Sequence, residues 1–197
     1  MHKTLFFVAG KVALVLTLFG SVAHAGKIYF EPGIGGGTGS LDVTNTSTES
    51  LGTTSPSLHL KMGSFTEYVY ILADAKLSYL TLSKDSIDPT WLNSVGLALA
   101  FDWNIPVRIS LGVDLYNSAT VTSGSASAKL SGLGSRIGLA YYLSPKLIVN
   151  VESHTADLTG VGSLTSKYST FTVSIGFPMA IDYPEESWRI RQGSKLR

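Results

Sequence analysis

Tyr168-Ser-Thr-Phe-Thr-Val-Ser-Ile-Gly-Phe177 is the stretch that determines the fold. Apolar side chains stand at every second position, and small or hydroxyl-bearing residues occupy the positions between them. Such an alternation predicts a β-strand with one apolar face and one small, polar face. The apolar face consists of Phe171, Val173, Ile175 and Phe177.

Residues 1–25 predict an export signal. Positive charge precedes an apolar run from Val12 to Phe19, and Ala23-His-Ala25 offers small residues at the cleavage positions. The apolar run is much shorter than the roughly 20 residues that a membrane-spanning helix needs. We therefore expect cleavage before Gly26 and export from a bacterial cell.

Residues 26–177 are expected to form one domain, because this length suits one domain better than two. The chain has no cysteine, which excludes disulfides and thiolate sites. Its formal net charge of +1 gives no indication of nucleic-acid binding. Mean hydropathy is positive, yet no apolar run of helix length follows the export signal. This combination is typical of a transmembrane β-barrel, in which only alternate residues meet lipid.

Seven further alternating segments precede residues 168–177, so the sequence predicts eight strands. The seven segments are 28–39, 57–63, 68–80, 95–103, 107–115, 136–143 and 147–154. Long connections rich in Ser, Thr, Gly and Asn are expected at 41–55, 83–90, 117–129 and 156–167, and short ones at 64–67, 104–106 and 144–146. Long and short connections alternate, as they do in outer-membrane barrels with long extracellular loops and short periplasmic turns.

The small, polar face is the one we expect inside the barrel. It is rich in Gly, Ala and Ser and carries charges of both signs, which suits a crowded lumen. Turning Lys76 or Arg108 to lipid at mid-depth would cost about 2–4 kcal/mol each. Aromatic residues near the strand ends are expected to form interfacial girdles. They are Tyr29, Phe30, Phe65, Tyr68, Tyr79, Trp91, Phe101, Trp103, Tyr141 and Phe177. The alternative is a soluble, lipocalin-like barrel with its apolar face inward.

The export signal, the eight strands, the alternating connections and the last strand ending in Phe177 resemble the small outer-membrane barrels of the OmpA/OmpX type. The resemblance implies an all-β, eight-stranded antiparallel transmembrane up-and-down barrel. It also implies a monomer in the outer membrane of a Gram-negative bacterium, with both mature termini periplasmic. The implied partners are outer-membrane lipids, lipopolysaccharide and, during insertion, the barrel-assembly machinery.

Two features depart from this family pattern. Pro32 lies within the first strand, where we expect a bulge or a missing ladder bond because proline has no N–H to donate. Residues 178–197 continue beyond the last strand, and we expect them to form a disordered periplasmic tail.

Charged residues on the inward faces predict a network in the lumen. They are Glu31, Lys61, Asp74, Lys76, Asp102, Arg108, Asp114, Arg136 and Glu152, with His154 beside them. Turns centred on Ile105 and Pro145 would place Asp102 opposite Arg108 and Arg136 opposite His154. Buried charges must be paired, so a structural network that fills the lumen is the first interpretation. A narrow conduction path is the second.

An enzyme is the least supported interpretation. Glu152-Ser-His-Thr155 contains a carboxylate, a hydroxyl and a base, the groups used in ester hydrolysis. Lipid A deacylases of this architecture carry a His-x-Ser motif, whereas Ala156 stands two residues after His154. Ser153 should also point to the opposite face of its strand. We therefore predict no catalytic residue, metal or cofactor, and a structural or surface-interaction role through long extracellular loops.

Overall fold

The described part of the protein, in a computed structural model, comprises residues 27–44, 47–65, 68–84, 86–102, 105–161 and 164–181. These ranges contain nine β-strands. They are β1 (Lys27–Thr44), β2 (Thr48–Phe65), β3 (Val69–Leu82), β4 (Thr90–Asp102), β5 (Val107–Ser123), β6 (Ala126–Ser144), β7 (Leu147–Thr159), β8 (Thr165–Gly176) and β9 (Met179–Ile181). Within the same ranges, no helix is long and apolar enough to cross a membrane. The predicted export signal at 1–25 lies outside them.

Strands β1 to β8 form a closed antiparallel barrel. Each strand pairs with the next, and β8 pairs with β1, which also pairs with β2. Hydrogen-bonded neighbours followed from Ile34 around the barrel return to β1 at Thr44. This stagger means that the strands are tilted against the barrel axis. The prediction of an eight-stranded up-and-down barrel is confirmed.

The sequence predicts that the closing strand ends at Phe177. In the structure, however, the pairing with β1 continues beyond this residue. β8 pairs with β1 as far as Gly33, and β9 resumes the same antiparallel register at Phe30. The Phe177 N–H still donates to the Pro32 carbonyl (2.8 Å), but Pro32 has no N–H with which to return a bond. The predicted missing ladder bond therefore lies here. No bulge accompanies it, since β1 and β2 pair past Pro32 in unbroken register.

The predicted disordered tail is consequently wrong at its start, because residues 179–181 extend the sheet. The remainder of that tail, residues 182–197, lies outside the described part of the chain.

Three of the four predicted long loops are mainly β-structure, so that prediction is wrong. β1 and β2 pair from Lys27 as far as Thr44↔Thr48, and the connection between β5 and β6 is only the two residues Gly124 and Ser125. The physical reason is that hairpin pairing satisfies the backbone and that threonine favours extended conformations. Between β7 and β8, residues 160–164 remain a connection, and between β3 and β4 residues 83–89 do.

We call the half of the barrel next to the connections 45–47, 83–89, 124–125 and 160–164 the rim half. The other half, next to the connections 66–68, 103–106 and 145–146, is the turn half.

In the turn half, large apolar side chains face outward and are exposed. They include Ile34, Leu58, Ile71, Leu99, Leu111, Ile137, Leu139 and Val173. In the rim half, many of the exposed outward residues are polar. They include Thr38, Ser50, Thr54, Thr81, Thr120, Asp157, Thr159 and Lys167.

The interior of the rim half contains a buried apolar cluster that the sequence analysis missed. We call it the leucine cluster, and it consists of Leu41, Leu51, Leu80, Leu82, Leu92, Ala119, Leu130, Ala156, Leu158 and Tyr168. At the opposite end lies what we call the aromatic cluster. It consists of Tyr29, Phe65, Tyr70, Leu72, Ala98 and Ala100. Most of the predicted charges lie between these two clusters.

The aromatic cluster corrects part of the girdle prediction. Tyr29 and Phe65 are buried inside the barrel rather than at a lipid interface. Tyr29 lies two residues from Glu31 in the same strand, so both side chains must point inward. The outward positions predicted for Tyr68, Trp91, Tyr141 and Phe177 are consistent with their exposure. Trp103 lies outside the described residues.

Candidate functional site

Arg108 on β5 is one of the most deeply buried charges in the lumen, with 1% of its surface exposed. Its Nη2 lies 2.6 Å from Glu31 Oε2 on β1, across the barrel. Its Nη1 donates to the hydroxyls of Tyr29 (2.5 Å) and Tyr142 (3.4 Å). Asn150 contacts both Arg108 and Glu31, because its Oδ1 accepts from Arg108 (3.3 Å) and its Nδ2 donates to Glu31 (3.0 Å). The guanidinium and the carboxylate therefore share one hydrogen-bonded centre.

Aromatic rings enclose this centre. The Arg108 guanidinium carbon lies 5.4 Å from the ring centroid of Tyr29, 5.7 Å from that of Tyr70 and 5.8 Å from that of Tyr142. Tyr70 in turn stacks on Phe65 with centroids 5.0 Å apart. A cation held over ring faces is stabilised by their quadrupoles, and more so when water is excluded. Three tyrosine rings therefore surround the guanidinium.

A second group of ion pairs occupies the middle of the lumen. Glu152 on β7 accepts from Lys76 on β3 at 2.9 Å, and its other oxygen lies 3.7 Å from Lys61 on β2. Lys61 also lies 3.9 Å from Asp74. Lys76 donates to the Thr172 hydroxyl on β8 at 3.0 Å. One carboxylate thus connects strands from opposite sides of the barrel wall.

This group continues through Arg136 to the leucine cluster. Arg136 Nη1 lies 2.9 Å from Asp74, and its Nε donates to Asp114 at 2.6 Å. The other oxygen of Asp114 lies 2.6 Å from His154 Nε2. The His154 ring packs edge-on against Tyr168 of the leucine cluster, with centroids 5.4 Å apart. Charges therefore reach from the centre of the lumen to the base of the apolar cluster.

A β-bulge in β5 positions Asp114. Both pairings of β5 shift register after Asp114, and the extra residue places Leu115 and Tyr116 together on the outer face. Asp114 and Asn117 both point inward and are buried. The bulge thus re-aligns the strand so that its inner face stays continuous from the charges to the leucine cluster.

The structure brings together nearly all of the predicted lumen residues. All ten are buried, and both predicted register pairs, Asp102↔Arg108 and Arg136↔His154, are present. Cross-strand register does not identify every contact partner, however. Arg108 contacts Glu31 on the far side of the lumen, a pairing that arises from barrel closure and cannot be read from a hairpin.

The predicted network did not include His59, Tyr142 or Asn150, which the structure adds to it. His59 is buried with its Nε2 3.8 Å from Glu31, and a Cβ on Gly33 would lie 2.2 Å from that same nitrogen. Gly33 therefore makes room for His59. The alternation along β2 places His59 on the same inward face as Ser57 and Lys61.

The geometry offers little for ester hydrolysis. His154 is buried and pairs with Asp114, whereas Ser153 is on the opposite face of the same strand. Among the described residues, no group of three or more His, Cys, Asp or Glu residues is arranged to hold a metal ion. What the arrangement does chemically is to neutralise buried charges by mutual pairing.

The fold is similar to those of solved outer-membrane barrels. Ail, the attachment invasion locus protein of Yersinia pestis, is 14% identical; the match covers 78% of this chain and 99% of Ail, with a TM-score of 0.52. Neisserial surface protein A is 20% identical over 75% of this chain and 96% of its own, with a TM-score of 0.49. No protein-family model matches the chain, and no curated protein matches it. The chain has the fold of the small eight-stranded outer-membrane barrels.

Proposed function

We propose that this protein is a monomeric, integral outer-membrane barrel with a closed lumen, which acts in membrane structure or in surface interactions through its rim. The observation that carries this proposal is the arrangement of the turn half, with exposed apolar side chains outside and paired charges inside. The rim hairpins take the role that we expected of long loops. We infer that both termini of the mature chain lie in the periplasm.

The outer face of the turn half supports a lipid environment. Leu143 and Ile137 are 58% and 56% exposed, and similar residues surround them on neighbouring strands. Contiguous apolar surface of this extent is rare on soluble monomers and marks contact with a membrane or a partner. A soluble, lipocalin-like barrel would have the opposite arrangement, with Arg108 and Glu31 outside.

The interior supports a closed lumen. The leucine cluster lies inside the rim half and the aromatic cluster lies at the other end, with ion pairs between them. An interior of eight strands is just wide enough for side chains to fill. Ions would meet an apolar constriction at the rim half, where an ion loses hydration without gaining a partner. Steady conduction is therefore not the function we propose.

Location and fold are tested together by fractionating cells that express the full chain. We expect the protein in the outer membrane, with a heat-dependent change in gel mobility that reports unfolding of a barrel. A water-soluble periplasmic monomer would overturn the proposal.

Whether the lumen is closed to ions is tested in planar bilayers with the purified, folded protein. We expect no stable conductance. Regular openings that change when Arg136 or Asp114 is neutralised would identify a narrow pore instead. Altered lipid A acylation in expressing cells, abolished by His154→Ala, would identify an enzyme.

A further inference from the structure

We propose that the outer wall of the barrel binds one acyl chain of lipopolysaccharide in a hollow centred on Ala75. The hollow is an open groove of about 310 Å³ on the barrel surface. This inference rests on the proposed function, because it requires the apolar outer wall around Ala75 to lie in the outer membrane.

Two rows of paired residues form the outward lining of the hollow. One row is Leu60, Ala75 and Val95, and the other is Leu58, Leu77 and Asn93. Ala75 lies directly between the larger Leu60 and Val95, so its small side chain leaves the space. Every outward lining residue except Asn93 is apolar, which favours hydrocarbon as the occupant.

Asn93 supplies the polar end of the hollow. Its side chain is exposed on the outer face of β4, between Trp91 and Val95, which are also exposed. Among the described residues, its carboxamide has no hydrogen-bond partner. An amide that faces hydrocarbon without a partner is costly, whereas an ester, amide or hydroxyl group on an acyl chain would satisfy it.

The position of the hollow along the barrel wall places it in the outer leaflet of the membrane. The outward residues of β4 run from Phe101 at the turn end to Trp91 near the rim, and the lining residues Asn93 and Val95 are the next two outward positions after Trp91. Trp91 packs against Tyr79 with ring centroids 4.9 Å apart, just above the hollow. Such aromatic residues are typical of the membrane–water boundary. The lipid beside this wall is therefore the one that forms the outer leaflet, lipopolysaccharide.

Native mass spectrometry of the folded, full-length protein tests this site. The protein in mild detergent is incubated with purified lipopolysaccharide or, separately, with phosphatidylethanolamine. We expect retained lipopolysaccharide on the unaltered protein, and about tenfold weaker retention for Ala75→Leu and for Asn93→Leu, because each removes part of the hollow or its polar partner. The unaltered protein and both variants should retain much less phosphatidylethanolamine than the unaltered protein retains lipopolysaccharide.

Ala73→Leu is the matched control. Ala73 is the next outward alanine of β3, paired between Met62 and Leu97, and it lies outside the hollow. It should retain lipopolysaccharide as the unaltered protein does. Equal retention by Ala75→Leu and Ala73→Leu, or equal retention of the two lipids, would overturn the site.

Failure of this inference is separable from failure of the proposed function. Each variant is first fractionated and examined for the heat-dependent gel shift. An unaltered protein that reaches the outer membrane but shows no preference for lipopolysaccharide contradicts the acyl-chain site alone. A protein that is water-soluble contradicts both.

Discussion

The turn half and the rim half of the barrel are inverted with respect to each other. In the turn half, Arg108 and Glu31 lie inside and Ile137 lies outside. In the rim half, the leucine cluster lies inside and threonines such as Thr81 lie outside. Apart from the bulge in β5, the same strands run through both halves with one alternation of faces. The inversion is therefore produced by the choice of residues along each face and not by a change in backbone.

The inversion shows that one continuous sheet is adapted to two surroundings. An apolar interior is stabilised by removal of apolar surface from water, so it requires water outside. The rim half meets this condition if it stands above the membrane. In the turn half, lipid outside provides no such gain, and the interior is stabilised by paired charges and hydrogen bonds. Each half should therefore respond differently to substitution.

The largest effect is expected from Arg108→Met in the turn half. The change leaves Glu31 buried without its cation, and we expect a loss of about 3–5 kcal/mol in the free energy of unfolding. Urea unfolding of the folded protein in lipid vesicles measures it. The double variant Arg108→Met with Glu31→Gln should recover much of the loss. A single variant that costs less than about 1 kcal/mol, as an exposed ion pair would, contradicts the paired-charge interior.

The corresponding change in the rim half is Leu80→Ala. Leu80 is 1% exposed in the leucine cluster, and its truncation should leave a cavity and cost about 2–5 kcal/mol of unfolding free energy. Thr81→Ala, at the exposed neighbouring position, is the control and should change the value by less than about 0.5 kcal/mol. Equal effects at the two positions would mean that the rim half has no packed core. The same urea titration serves for both variants.

The lumen charges were predictable and the leucine cluster was not, for reasons that lie in particular residues. Lys76 and Arg108 could be placed inside because their exposure to lipid is expensive. Leu41, Leu51 and Leu158 lie in Ser- and Thr-rich stretches whose composition suggested loops. Their outward neighbours are polar, so the apolar face there points into the barrel, the reverse of its orientation in the turn half.

One signal in the sequence did extend through those stretches. Along β2, the inward positions Leu51, Thr53, Ser55, Ser57 and His59 keep a single alternation. Extending that alternation past the expected strand ends would have placed Leu51 inside. The cross-barrel pairing of Arg108 with Glu31 could not have been obtained in this way, because it depends on the closure and stagger of the whole barrel.

The outer faces of the turn half and the rim half also differ, and substitution with arginine in each half tests this difference. Ile137→Arg in the turn half should cost about 2–4 kcal/mol of unfolding free energy in vesicles, because the charge would face lipid. Thr81→Arg in the rim half should cost less than about 0.5 kcal/mol, because the charge would face water. Unfolding in urea and the yield of the heat-modifiable form both report the difference. Similar losses of unfolding free energy for the two variants would contradict the inference that the membrane boundary separates the two halves.

The smallest expected effect concerns the turn that builds the rim half. Gly124 has a φ of 58°, which disfavours any residue with a Cβ, and nothing lies within 4 Å of the position that a Cβ would occupy. Gly124→Ala should therefore cost about 1 kcal/mol through backbone strain alone. Gly36→Ala, at an exposed strand position where a Cβ would meet only the Ser55 carbonyl at 3.8 Å, should be neutral or slightly stabilising. Because the Gly124 turn connects the strands that carry Ala119 and Leu130, equal costs would show that the leucine cluster holds this hairpin without help from its turn.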